Sequence, residues 1–156
     1  MNPMKMGTGL VTLAAAFMVA ASAGAAEVAP DAVAFTDDGV SASLTGQAGD
    51  PAAGAKTFKD RKLGNCLACH ANKKMEGELF HGNVGPALDG VADRWSTAEL
   101  RAIVVNSKQV FGEETVMPGF YSLKVGLNPR EDLVGKTILS AQEVEDVVAY
   151  LATLKE

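Results

Sequence analysis

Both cysteines of this 156-residue chain fall in one short stretch, CLACH, residues 66–70, and the residue after the second is a histidine. No other feature limits the fold as tightly. Two thiols three positions apart can form a redox dithiol, which needs a strand leading into a helix around it. They can be half of a zinc site, which needs two more good ligands. Together with His70 they also form C-x-x-C-H, the pattern that attaches a c-type haem. On one helical turn, sulfurs at i and i+3 reach the two vinyl groups along one side of a porphyrin, and the next residue lies under the iron. Each reading demands different surroundings, so the rest of the sequence has to decide.

The surrounding patterns are helical. Asp50 can cap a first helix with Pro51 in its first turn, and Gly64 closes it just before the cysteines. Gly54 and Phe58 share one face of it, and a glycine inside a helix points to a close approach by another backbone or ring. Ser96 with Glu99, and Ser140 with Glu143, stand at capping-box spacing. After the first box, Leu100, Ile103 and Val104 make an apolar stripe. After the second, Val144, Val147, Val148, Leu151 and Leu154 repeat at the spacing of one buried helix face. The segments 71–90 and 112–136 between helices are rich in Gly and Pro and read as long loops, which in a small domain are usually functional. The expectation is an all-α fold of three main helices. No strand alternates with them, so the dithiol loses its context. Beyond the CLACH stretch, the region after the leader offers zinc only His81 and acids, a poor set. Haem c, one and covalently bound through Cys66 and Cys69 with His70 on the iron, is preferred. It also fills the centre that three short helices leave thin.

A second axial position on the iron calls for His or Met. Met75 lies five residues beyond His70, too near to cross the porphyrin edge comfortably. Met117 sits in the middle of the second loop, in TVMPGF, where Pro118 stiffens the chain and Gly119 lets it turn. It is preferred. His81, in the first Gly-rich loop, is the rival, and an open position is the third choice. His/Met ligation favours the reduced state, and with both positions filled the iron carries electrons rather than substrate.

The start of the chain reads differently. Lys5 precedes an apolar run at residues 10–23, followed by small residues. This is the order of a secretory signal cleaved after Ala25 or Ala26, and the run is shorter than the ~20 residues a membrane span needs. The expected location is the periplasm. Removing such a signal takes one cation and no acid, so the formal charge of −5 becomes one unit more negative, against non-specific nucleic-acid binding. Residues 27–49 are polar and small, without helical period, and read as an extension outside the core that is mobile until a partner orders it. Lys56, Lys59, Arg61, Lys62, Lys73 and Lys74 cluster in sequence around the CLACH turn. They are either solvated faces or a positive rim that steers an acidic redox partner.

From Asp50 to Leu154 the chain resembles the class I cytochromes c. The stretches that carry the likeness are GAKTF, CLACH, VGPALDGVADR, MPGF and EVEDVVAYL. The resemblance implies that Gly54 and Phe58 cross Val147 and Tyr150 of the last helix. It also implies that the Pro86 carbonyl holds the second ring nitrogen of His70, and that Leu88 packs on the porphyrin edge. Arg94, with Trp95, matches a position that pairs a propionate, and Leu88 and Trp95 can equally be plain core residues. Within that class, GNCLACH, GNVGPALDGVADRW, VMPGFY and LVGKTILSAQEVEDVVAYLATLK are similar to the SoxX family, the small monohaem subunits of SoxAX cytochromes. With the signal at 1–26, that likeness implies a partner-binding extension at 27–49 and a cytochrome c domain at 50–156. It implies a SoxA-type partner in a heterodimer, whose own haem joins thiosulfate to a cysteine of a SoxYZ-type carrier. This chain would take the electrons released and hand them to a downstream cytochrome c. A free cytochrome c shuttling between respiratory complexes is the alternative.

Overall fold

The computed structural model describes residues 26–156; the expected signal lies almost wholly outside them. Four α-helices form among the described residues: α1 (Pro51–Lys59), α2 (Val91–Arg94), α3 (Thr97–Phe111) and α4 (Ala141–Leu151). No strand is present among the described residues, only an isolated bridge between Thr36 and Gly39. The all-α expectation holds.

The helices start where their side chains can satisfy the free amides of a first turn. The Asp50 carboxylate accepts from the Ala52 amide at α1. Ser96 and Glu99 form a reciprocal capping box at α3, and Ser140 and Glu143 form another at α4. At the first box, hydrogen bonds from the Ser96 amide and hydroxyl hold the Glu99 carboxyl below the usual carboxylate range. One end differs from expectation. α1 stops at Lys59, not at Gly64, because Asp60 leaves the helical region and its amide closes the last turn on the Lys56 carbonyl. Asp60 also accepts two later amides, from Leu63 and Asn65, in the turn that follows. The four-residue α2 has too short a period to be seen in the sequence.

α1 crosses α4 at close range. A Cβ on Gly54 would lie 1.9 Å from the Asp146 carbonyl oxygen, so no larger residue fits. Beside this contact Phe58 meets Tyr150 edge to face, centroids 5.3 Å apart. The crossing that the family likeness implied is therefore built. Phe58, Val104, Leu139, Val144, Val147, Val148 and Leu154 are all buried in the core around it.

The segment 27–49 does not lie outside the core. Leu44 is 1% exposed and Val40 3%. The pull on this segment is polar as well as apolar. Glu145, buried on α4, accepts the Leu44 amide at 2.8 Å and the Arg101 guanidinium at 2.9 and 3.0 Å. Arg101 in turn donates to the Val40 carbonyl at 2.8 Å. Farther back, the Tyr121 hydroxyl reaches the Val28 carbonyl and the Glu27 carboxylate. Burial, helped by Glu27, pushes that phenol up to about 12. The segment is a strap across α3 and α4. Replacing Glu145 by alanine leaves Arg101 charged, buried and unpaired, an error worth about 3–5 kcal/mol. Chemical denaturation should show a loss of that size, and proteolysis should cut first within 27–49. A loss under about 1 kcal/mol with the strap still protected would contradict the assignment.

Candidate haem-binding site

The CLACH stretch folds as one tight helical turn. Asn65 enters it in the left-handed region (φ 48°, ψ 33°), Cys66–Ala68 form a 3-10 turn, and the amides of Cys69 and His70 both reach the Cys66 carbonyl. This places the two thiols and the imidazole on one small unit, as the spacing predicts. The cysteines are not bonded to each other. Burial pushes the Cys66 thiol up to about 12. No strand among the described residues leads into this turn, the context a redox dithiol needs. No three His, Cys, Asp or Glu among the described residues gather closely enough to hold a metal, so a zinc knuckle has no support either.

The first loop is tied to this turn. Gly85 and Leu88 donate their amides to the Cys69 and Ala71 carbonyls, and Gly82 donates to Leu67. A Cβ on Gly85 would sit 2.3 Å from the His70 ring, so glycine is what lets the loop lie flat on the imidazole. The loop then delivers the Pro86 carbonyl to His70 Nδ1 at 2.7 Å. A carbonyl only accepts, so Nδ1 carries the proton and Nε2 keeps its lone pair, the tautomer a metal requires.

Opposite this wall stands the second loop. Between the two lies a cavity of about 740 Å³ lined by Cys66, Cys69, His70, Pro86, Leu88, Trp95 and Met117, with Val104, Leu139, Val147 and Leu151 at its back. Its size falls within the ~300–1,000 Å³ of a cofactor site. A largely apolar slot with two thiols and a prepared imidazole on one face and a thioether on its lining fits a covalently held haem.

The profile of the family described as Cytochrome c matches residues 51–155. The chain belongs to the cytochrome c family. Among solved structures, a chain from the crystal structure of SoxXA from P. pantotrophus is 43% identical. The match covers 84% of this chain and 100% of that one, with a TM-score of 0.77. The expected likeness to SoxX within the family is borne out. No curated protein sequence matches. As a cytochrome c of this kind, the chain carries haem c.

The remaining expected site residues of this cytochrome sort clearly. Met117 is half-buried and faces the cavity. His81 does not line it: its Nδ1 accepts the Asn72 amide and its Nε2 donates to the Met75 carbonyl. It therefore holds the opposite tautomer from His70, with both ring nitrogens spent. Met75 also lies elsewhere, in a shallow groove with Lys56, Lys59 and Glu78. Leu88 and Trp95 line the cavity, and Trp95 stands edge-on to Phe111 at 6.1 Å. Arg94 lines it too, but two of its five N–H groups are used on the Asp89 and Ala87 carbonyls at 2.7 and 3.0 Å. It holds the first loop in place and keeps other donors for an anionic group.

The basic cluster divides. Lys59 pairs with Glu78, and Lys74 donates to the Thr153 carbonyl. Only Arg61 and Lys62 of that cluster reach the cavity, where Arg94 and Arg130 join them and no acid lines the wall. Arg130 was not foreseen, because it lies far along the chain and is paired with Asp132. Between these cations the exposed Val84, Phe111 and Val116 also line the cavity. Gly85 was hidden in the sequence among several glycines; only its place one residue before Pro86 marks it.

Proposed function

We propose that this cytochrome is the periplasmic electron-transfer subunit of a SoxAX-type complex. It takes electrons from a SoxA-type partner when thiosulfate is joined to a carrier cysteine, and it passes them to a downstream cytochrome c. The observation that carries this reading is the match to a chain of SoxXA, over 84% of this chain and 100% of that one, set beside a cavity whose lining includes His70 and Met117. Haem c, when bound, supplies one-electron exchange at its iron. Cys66 and Cys69 fasten it as thioethers and have no thiol left for sulfur chemistry. His70, with its proton fixed on Nδ1 by Pro86, has Nε2 free to hold the iron, and the Met117 thioether on the cavity lining would be its second ligand from the chain. Held by both, the iron would exchange electrons and take no substrate, and the sulfur reaction would belong to the partner. Coupling one thiosulfate releases two electrons, and this chain cycles twice for each.

One specific observation keeps the free-shuttle alternative alive. The segment 27–49 is packed on the chain's own helices, so it no longer argues for a partner by itself. Co-purification separates the two readings. Expressed with its neighbouring genes, the chain should elute with a second haem protein at one-to-one ratio. Elution as a lone monomer would leave the shuttle.

The cavity mouth supplies a further test. Arg61, Lys62, Arg94 and Arg130 around an apolar centre, in a chain of net charge −5, suit a partner surface with an acidic rim. The rate of electron exchange with that partner should fall roughly tenfold as ionic strength rises from about 0.01 M to 0.15 M, where screening shortens from about 30 Å to about 8 Å. Lys62→Glu should weaken the dependence. A rate independent of salt would remove the role of these cations.

A further inference from the structure

α3 is broken near its end. Asn106 leaves the helical region (φ −156°, ψ 92°), and its side chain accepts the Lys108 amide at 3.2 Å in place of a helix carbonyl. The diverted Lys108 amide leaves the Val104 carbonyl free, and the second loop uses it and its neighbour: the Val104 and Val105 carbonyls accept the amides of Phe120 and Tyr121 at 3.2 and 3.0 Å. The next residue along, Ser107, is fully buried, and its hydroxyl donates to the carbonyl of Met117 itself at 2.6 Å. Lys108 Nζ completes the attachment on the Glu113 and Thr115 carbonyls. From the other side, Gly119 fits against the break only because it has no Cβ, which would stand 2.8 Å from Asn106 Oδ1.

We infer that the Asn106–Ser107 break in α3 is the device that presents Met117 to the iron, and that Ser107 is the residue that positions it. The inference rests on the reading of Met117 as an axial ligand. A loop ligand detaches easily unless its backbone is fixed, because freeing it returns conformational entropy. Here the carbonyl of the ligand residue is tied directly to a buried hydroxyl, and the chain three and four residues on is tied to the same helix turn. Without the serine hydroxyl the Met117 carbonyl is left unpaired in a partly buried place. Such a loss weighs on the attached state alone, since the detached loop can take water.

The test uses the ferric holoprotein and imidazole, which binds iron only when Met117 has let go. The apparent affinity then reads the detached fraction. Ser107→Ala should bind imidazole about tenfold tighter than the wild type, the effect of about one buried hydrogen bond, and lose its methionine–iron near-infrared band at lower temperature. Gly119→Ala, which pushes the loop off the break from outside, should shift both readouts in the same direction and covers the case in which the serine variant does not fold. Val148→Ala, a core change that does not line the cavity, should lower the unfolding temperature without tightening imidazole. If Ser107→Ala and Gly119→Ala tighten imidazole no more than Val148→Ala does, Ser107 is only a structural residue and the inference fails. If instead the wild type shows no such band and Met117→Ala binds imidazole like the wild type, the ligand reading and this inference fall together.

Discussion

The chain carrying Cys66→Ala and Cys69→Ala together should be recovered without covalently bound haem. Stained for haem after denaturing electrophoresis it should be blank, where the wild type is bright. The effect on folding should be nearly as large. The cavity of about 740 Å³ sits directly against Val104, Leu139, Val147 and Leu151, the back of the helical core. An apolar space of that size cannot collapse, because α1 and α4 are already in backbone contact at Gly54. Cavities carry a steep penalty, and a domain holds only about 5–15 kcal/mol in reserve. Circular dichroism should show the double variant largely unfolded or molten at room temperature. Covalent haem surviving in the variant, or a cooperative native fold without haem, would contradict the assignment of these two residues.

Met117→Ala should keep its covalent haem and its fold but lose the character of the metal site. Met117 is half-buried on the wall of the cavity, so the fold loses little. The iron loses a thioether that favours the reduced state. The midpoint potential should drop by a sizeable part of the roughly 0.8 V that axial ligands span, and the ferric protein should bind small ligands such as imidazole that the wild type excludes. Spectroelectrochemistry reads the first and titration the second. An unchanged potential would mean that some other group holds that position. His81 is a poor substitute, since both of its ring nitrogens are already engaged by backbone at Asn72 and Met75.

Much of this was legible in the sequence, and the reason is locality. The helix starts were written in side chains that act within three residues, so Asp50, Ser96 and Ser140 were found as caps. The CLACH turn was legible because its chemistry depends on spacing alone. The Pro86–His70 bond came from family likeness and is present at 2.7 Å. What the sequence hid is long-range pairing. Glu145 and Leu44 are 101 residues apart, and no local pattern announces that a carboxylate on α4 will collect an amide from the start of the chain. The strap around Val40 and Leu44 therefore read as polar tail, since two apolar residues among Gly, Ser and Asp make no period. The end of α1 was misplaced for a related reason: Gly64 is a familiar helix stop, but Asp60 breaks the backbone first and gathers the next amides on its own carbonyl. The break at Asn106 follows directly on the stripe of Leu100, Ile103 and Val104, where a polar run in a helix reads as a solvated face, and it shows only once the second loop is seen to use the Val104 and Val105 carbonyls.

The cation distribution gives the same lesson. Six basic residues close together in sequence read either as solvated faces or as one rim, and in space they part, because Lys59 and Lys74 are drawn off to Glu78 and to the Thr153 carbonyl. The positive lining is instead assembled from three places in the chain: Arg61 with Lys62, Arg94, and Arg130, the last paired with Asp132.

In the proposed function His70 and Met117, which line one cavity, would hold the iron from its two sides, so that the chain would move electrons and leave substrate to a partner. The near-infrared absorption of the ferric wild-type holoprotein tests it most directly. A methionine–iron charge-transfer band, present in the wild type and absent in Met117→Ala, is the expected result. A bis-histidine spectrum, or the spectrum of an iron open to solvent, would contradict it.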